Sequence, residues 1–158
     1  DKVDPDEMML HMNNDLFLTK TGGMFVTCIL GEYNVRTDEL RWVNGGHQPA
    51  IIRSISGDYE QFESKSPPMG VILQKDKSVY NINKVKLGDR RFYAFTDGLS
   101  ESLNNEGEEI GIEGSLKIIE ENYNKDSNKQ LSDISNNVIK TAGSNNLSDD
   151  LTLISIGN

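Results

Sequence analysis

Between Gly22-Gly23 and Asp97-Gly98 the chain is cut by turn-forming residues into about six short apolar segments, and that punctuation predicts strands. Met24 to Leu30 is apolar on both alternating faces, as in a strand covered on both sides. Asn34 to Glu39 is polar and turn-like, and Leu40-Arg41-Trp42-Val43 resumes as the partner strand of a hairpin. Gly45-Gly46-His47-Gln48-Pro49 breaks that strand, Ala50 to Ile55 makes a third, and Ser56-Gly57-Asp58 turns into a short one over Tyr59 to Phe62. Ser66-Pro67-Pro68 is irregular, because two prolines remove two backbone donors. Strands near Val79 to Val85 and over Arg91 to Thr96 follow, separated by the turn Leu87-Gly88-Asp89.

Helices flank this meander. Asp4-Pro5-Asp6-Glu7 reads as a helix start, with Asp4 as N-cap, and predicts a helix over 5–19. Its apolar stripe is Met8, Met12 and Leu16, with Leu10 and Phe17 alongside. Ile112, Leu116, Ile119 and Tyr123 predict a second helix. Ser127 to Gln130 has the capping-box form and opens a third, with core stripe Leu131, Ile134, Val138 and Ala142 and a C-cap at Gly143. Leu151 to Ile156 is a closing strand. Strands grouped apart from helices indicate an α+β layered fold rather than alternating βαβ units. At 158 residues the chain has the length of one domain, 1–158.

Charge narrows the function. Sixteen Lys+Arg against 25 Asp+Glu leave a net charge of −9, which disfavours a nucleic-acid partner. No apolar run approaches the roughly 18–20 residues of a membrane span, so no membrane contact is expected. No secretory signal is legible, and Cys28, the single cysteine, has no internal partner, so the cytoplasm is the expected compartment.

Two acidic sites stand out by position. Asp97-Gly98 follows the apolar strand Phe92-Tyr93-Ala94-Phe95-Thr96, and Asp149-Asp150 precedes the last strand, Leu151-Thr152-Leu153-Ile154. If those strands pair antiparallel, the end of one and the start of the other share a rim, bringing three carboxylates to one edge. Crowded like charges call for a cation, and an all-oxygen set suits Mg²⁺ or Mn²⁺. The bland alternative stays open: Asp-Gly is an ordinary turn, and Asp149-Asp150 an ordinary strand boundary. Cys28, in an apolar strand without a Cys-(x)5-Arg loop, is expected to be core. His47 sits in a shaped Gly/Pro loop, where its imidazole either fixes the turn or faces substrate. The acidic, glycine-containing loop from Glu106 to Gly111 is read as solvated rather than as a flap over the site.

Six segments then line up in order: Gly23-Met24-Phe25-Val26-Thr27, Trp42 to Pro49, Pro68-Met69-Gly70-Val71, Leu87-Gly88-Asp89, Phe95 to Glu101, and Ser148 to Leu153. Together they resemble the stage II sporulation protein E-type serine/threonine phosphatases of the protein phosphatase 2C (PPM) superfamily. The resemblance implies an antiparallel β-sandwich flanked by helices, with two Mn²⁺ or Mg²⁺ ions at one rim. Asp97, with Gly98, matches the metal-binding T-D-G motif, and Asp149, with Asp150 beside it, matches the closing D-[DN]-x-[ST] motif. Asp97 and Asp149 are then the catalytic acids, His47 belongs to an active-site loop, and the metals activate a water for attack on phosphorus. The implied substrate is a phosphoserine or phosphothreonine on an anti-sigma-factor antagonist, with an upstream sensor domain in control.

The departure from the family pattern is the D-x-x-G-H-G segment, which supplies a bridging metal ligand ahead of the helix at 5–19 and is not in this sequence. The chain is therefore expected to be the C-terminal part of a PPM-type domain, with the first strands lying upstream. An edge so exposed is expected to dimerise or exchange a strand, and the fragment alone to have feeble activity. The alternative from another class is a non-catalytic, phosphatase-like regulatory or dimerisation module.

Overall fold

A computed structural model describes residues 4–19, 22–124, 126–142 and 149–157. In chain order the elements are α1 (Pro5–Thr19), β1 (Cys28–Asn34), β2 (Glu39–Gly45), β3 (Ala50–Arg53), β4 (Tyr59–Phe62), a 3-10 turn (Lys77–Val79), β5 (Asn83–Lys86), β6 (Arg91–Phe95), α2 (Asp97–Ser100), α3 (Gly111–Glu121), α4 (Ser127–Ala142) and β7 (Leu153–Gly157). They form two antiparallel sheets, ordered β1-β2-β5 and β4-β3-β6-β7. The chain divides into two compact units, Asp1–Ala50 with Gln61–Gly88 and Ile51–Glu60 with Asp89–Asn158. Among the described residues no helix is long and apolar enough to cross a membrane.

In the first unit, β1 and β2 form the expected hairpin, in register from Cys28↔Gly45 to Asn34↔Glu39. The strand begins later than hydropathy indicates. Met24 and Phe25 are exposed, and Val26 joins only through a bridge to Met69. The strand also runs on through Asn34, whose side-chain oxygen accepts the Arg36 and Thr37 N–H groups and so closes the turn. Expectation also fails near Val79, where the Asp76 carboxylate caps a 3-10 turn through the Ser78 N–H at 2.8 Å, leaving β5 to start only at Asn83.

Helix α1 has the expected bounds, but the buried face differs from the predicted stripe: Pro5, Met9 and Asn13 point inward, while Met8 and Met12 are exposed. The reason is polar. Asn13 donates to the Ile72 carbonyl at 3.0 Å and accepts the Gly70 N–H at 2.9 Å, while Asn14 exchanges two bonds with the Gln74 backbone. Two consecutive asparagines thus pin the 70–74 loop, and that requirement sets the helix rotation. Met9 then meets Cys28, sulfur to sulfur at 3.7 Å, within a core that includes Val43, Met69 and Tyr80. Asp4 does start the helix, since its carbonyl accepts the Met8 N–H, but its carboxylate pairs with Arg41 rather than capping.

The second unit is built on β6, whose five residues are all buried and which pairs with β3 on one side and β7 on the other. Ile51, Tyr93 and Phe95 pack with Leu99, Leu116, Ile118, Ile119, Ile134 and Val138, so Ile112, Leu116, Ile119, Ile134 and Val138 of the predicted stripes face this core, whereas α3 ends at Glu121 before Tyr123, and Leu131 is half-buried outside the cluster. The side chain of Ala142 and the C-cap expected at Gly143 lie outside the described residues. β3 stops at Arg53, short of Ile55, because the Ser54 N–H bonds the Asp58 carbonyl and closes a turn at Gly57 (φ 97°).

The capping box at Ser127 is replaced by Asp126, whose carboxylate accepts the Asn128 and Lys129 N–H groups. Gln130 is released for another task. Fully buried, its Oε1 accepts from the Arg91 guanidinium at 2.6 Å and from the Tyr93 hydroxyl at 2.9 Å, and its Nε2 donates to the Ile119 carbonyl. Arg53 sits opposite Arg91 in the β3–β6 register and is held by both Glu120 oxygens, at 2.6 and 3.0 Å, over the Tyr123 ring. Glu120 is held below the ordinary glutamate range by its hydrogen bonds to Arg53.

Two measurements check this network. Gln130→Leu keeps the volume but takes the Tyr93 hydroxyl's acceptor and one of the Arg91 guanidinium's, and urea unfolding is expected to show a loss of about 3 kcal/mol. A carboxylate whose folded pKa is depressed adds stability above its unfolded value and loses it as the pH falls through the folded one. The stability gap between the parent and Glu120→Gln is therefore expected to close as the pH drops below about 4.3.

Candidate metal centre

The β6–β7 register ends at Phe95↔Leu153, so the chain leaves β6 at Thr96-Asp97 beside the point where it enters β7 through Asp149–Thr152. The two acidic segments share a rim, as the sequence predicts for an antiparallel pair. Three hydrogen bonds fix the join. The Thr96 N–H donates to the Thr152 carbonyl at 3.0 Å. The Thr96 hydroxyl donates to the Asp150 carbonyl at 2.8 Å and accepts the Thr152 N–H at 2.9 Å.

Asp97 opens α2, a single turn closed by the Glu101 N–H on its carbonyl at 2.7 Å. Gly98 is required for closeness and not, as its place after Asp97 suggests, for a sharp turn. It is not among the glycines with positive φ, and a Cβ added there would lie 2.5 Å from the Asp150 carbonyl oxygen and 3.1 Å from that of Asp149. The Gly98 carbonyl accepts the buried Ser102 hydroxyl at 2.6 Å, which leaves it one further lone pair.

Asp97 is half-buried, whereas Asp149 and Asp150 are exposed. Asp149 accepts the Asp150 N–H at 2.7 Å. Among the described residues the Asp97 and Asp150 carboxylates have no hydrogen-bond or ion-pair partner, an arrangement that leaves hard oxygen donors available to a cation. No group of three His, Cys, Asp or Glu side chains among the described residues is close enough to hold a metal by itself. Mg²⁺ is commonly held by one or two carboxylates with several waters, so a set of this size fits a hard cation as part of a coordination shell.

His47 lies in the other compact unit. Its Nδ1 is 3.1 Å from the Thr27 hydroxyl, and its loop is fixed by Asn44, which accepts the His47 N–H and donates to the Gln48 carbonyl. Gly46 in that loop has φ 69° and stands directly against Pro68. Cys28 packs against the Met9 and Met69 sulfurs, and burial pushes its thiol pKa up, away from a nucleophile's range. The 104–109 loop is an exposed turn closed on the Asn104 side chain, which accepts the Glu106 and Glu108 N–H groups. Thr96, which the sequence places at the end of a strand and in the T-D-G motif without a role of its own, is the residue that joins the two segments at the rim. A β-branched hydroxyl immediately before Asp-Gly was the signal.

The arrangement has counterparts among known proteins. The structure matches the SiaA-PP2C domain of Pseudomonas aeruginosa with a TM-score of 0.80 at 15% identity, covering 96% of this chain and 60% of that one. It matches RsbX, solved in complex with magnesium, with a TM-score of 0.62 at 20% identity, over 97% of this chain and 64% of that one. The fold is thus that of protein phosphatase 2C domains. The family Stage II sporulation protein E (SpoIIE) matches residues 1–157, and the chain belongs to it. Protein IcfG from Synechocystis is 23% identical over 117 residues, which cover 72% of this chain but 18% of IcfG. The chain thus spans less than two thirds of the length of each of these relatives.

Gly98→Ala tests the close approach at the rim. The Asp150 carbonyl must move several tenths of an ångström, and chemical denaturation is expected to show a loss of about 1–3 kcal/mol.

Proposed function

We propose that this chain is part of a metal-dependent protein phosphatase that removes phosphate from phosphoserine or phosphothreonine on a regulatory protein of the anti-sigma-factor antagonist type. What supports this most is the meeting of Asp97 with Asp149-Asp150 on one rim, with the Asp97 and Asp150 carboxylates left without partners among the described residues. Asp97, Asp149, Asp150 and the Gly98 carbonyl would hold the cation, Mn²⁺ or Mg²⁺, two ions being expected in a complete domain. When bound, such ions neutralise phosphate oxygens and lower the pKa of a coordinated water. The protein's own part is to fix these oxygens on a rigid strand end. With a net charge of −9 the protein repels a phosphoprotein at long range, so recognition rests on local charge at the rim.

Further parts of the reading rest on the family. RsbX holds magnesium, which supports the choice of cation. Most of IcfG lies outside the matched region, which supports control by an attached sensor domain. A cytoplasmic location completes the proposal. The absence of a three-acid cluster among the described residues favours a second reading, a non-catalytic module of the same fold.

Phosphate release from a phosphoserine peptide, measured with and without Mn²⁺, separates the two. The phosphatase is expected to turn over only with the metal, and Asp97→Asn or Asp149→Asn to reduce the rate by about 100-fold. Mn²⁺ binding without phosphate release would leave the module.

A further inference from the structure

We propose that Thr96 is a positioning residue whose hydroxyl sets the Asp149–Asp150 segment against Asp97 and thereby governs divalent-cation affinity. The proposal rests on the cation reading above and concerns how this chain builds the site.

A threonine hydroxyl has one hydrogen to donate and two lone pairs. Here the hydrogen goes to the Asp150 carbonyl at 2.8 Å and a lone pair takes the Thr152 N–H at 2.9 Å. Both partners are backbone groups of the segment entering β7. The Thr96 N–H adds a third bond, to the Thr152 carbonyl at 3.0 Å. Gly98 lies against the same carbonyl, since a Cβ there would lie 2.5 Å from the Asp150 oxygen. The backbone that follows Asp149-Asp150, from the Asp150 carbonyl to Thr152, is therefore gripped by Thr96 and Gly98, the residues on either side of Asp97. Among the described residues no carboxylate takes part in the grip, so the side chains of Asp97 and Asp150 remain available while their separation is fixed.

Valine has the shape and strand preference of threonine but neither donor nor acceptor, so Thr96→Val removes both bonds and releases the Asp150 carbonyl and the Thr152 N–H to water. Serine restores both bonds. Groups that orient metal ligands commonly change affinity by about 10–100-fold when removed.

The test is calorimetric titration of the chain with Mn²⁺, alongside thermal melting without metal. Thr96→Val is expected to weaken Mn²⁺ binding about tenfold or more, and Thr96→Ser to stay within about threefold of the parent. Gly98→Ala keeps the hydroxyl but displaces the same carbonyl, and it is expected to weaken binding as Thr96→Val does. A Thr96→Val protein that melts earlier yet binds Mn²⁺ like the parent overturns the proposal, because its role is then structural. If Thr96→Val does not fold, Gly98→Ala decides: weakened binding supports the proposal and parental affinity overturns it. A parent chain that binds no Mn²⁺ overturns both this and the metal reading. Binding abolished by Asp97→Asn but untouched by Thr96→Val overturns this one alone.

Discussion

A guanidinium taken out of water must be given partners, and Arg91, 1% exposed at the start of the central strand β6, imposes that demand on the second unit. Gln130 at the start of α4, the Asn124 carbonyl in the link before it and the Tyr123 ring are all drawn to this one side chain. The end of α3 is tied in through Gln130 to the Ile119 carbonyl and through Glu120 to Arg53. With one end of β6 held by polar contacts and its length buried in apolar ones, the other end becomes a fixed point. Thr96 and Asp97 stand there.

The rim follows from that rigidity. β7 pairs with β6 up to Leu153, and the last contacts before the acids are made by Thr96 to backbone groups. Functional groups carried on strand ends inherit the precision of the ladder behind them. Fold and site are therefore continuous: the hydrogen bonds that end the sheet are the ones that bring Asp97 and Asp149-Asp150 together.

Hydropathy made most of this order legible. The β1–β2 hairpin, the buried strand at Arg91–Phe95, most of the core positions of α3 and α4 and the antiparallel meeting of the two acidic segments all follow from apolar spacing and turn residues. What escaped was polar. Asn13 and Gln130 are buried for the sake of backbone and guanidinium groups distant in sequence, and no periodicity encodes a partner 57 or 39 residues away. The same holds for Gly98, whose need for no side chain comes from Asp150 rather than from its own φ. Met8 and Met12 have the four-residue spacing of a core face, yet Asn13 and Asn14 decide the rotation of α1 and leave both methionines exposed.

The division of labour at the rim separates heritable shape from heritable chemistry. Backbone groups, a hydroxyl and a missing side chain hold the segment, whereas the Asp97 and Asp150 carboxylates hold nothing described. A lineage could exchange those acids for neutral residues with little effect on folding, and selection for stability alone would not notice. Active and silent descendants of such a chain would share the same skeleton, told apart only by a few oxygen atoms at one edge of a sheet.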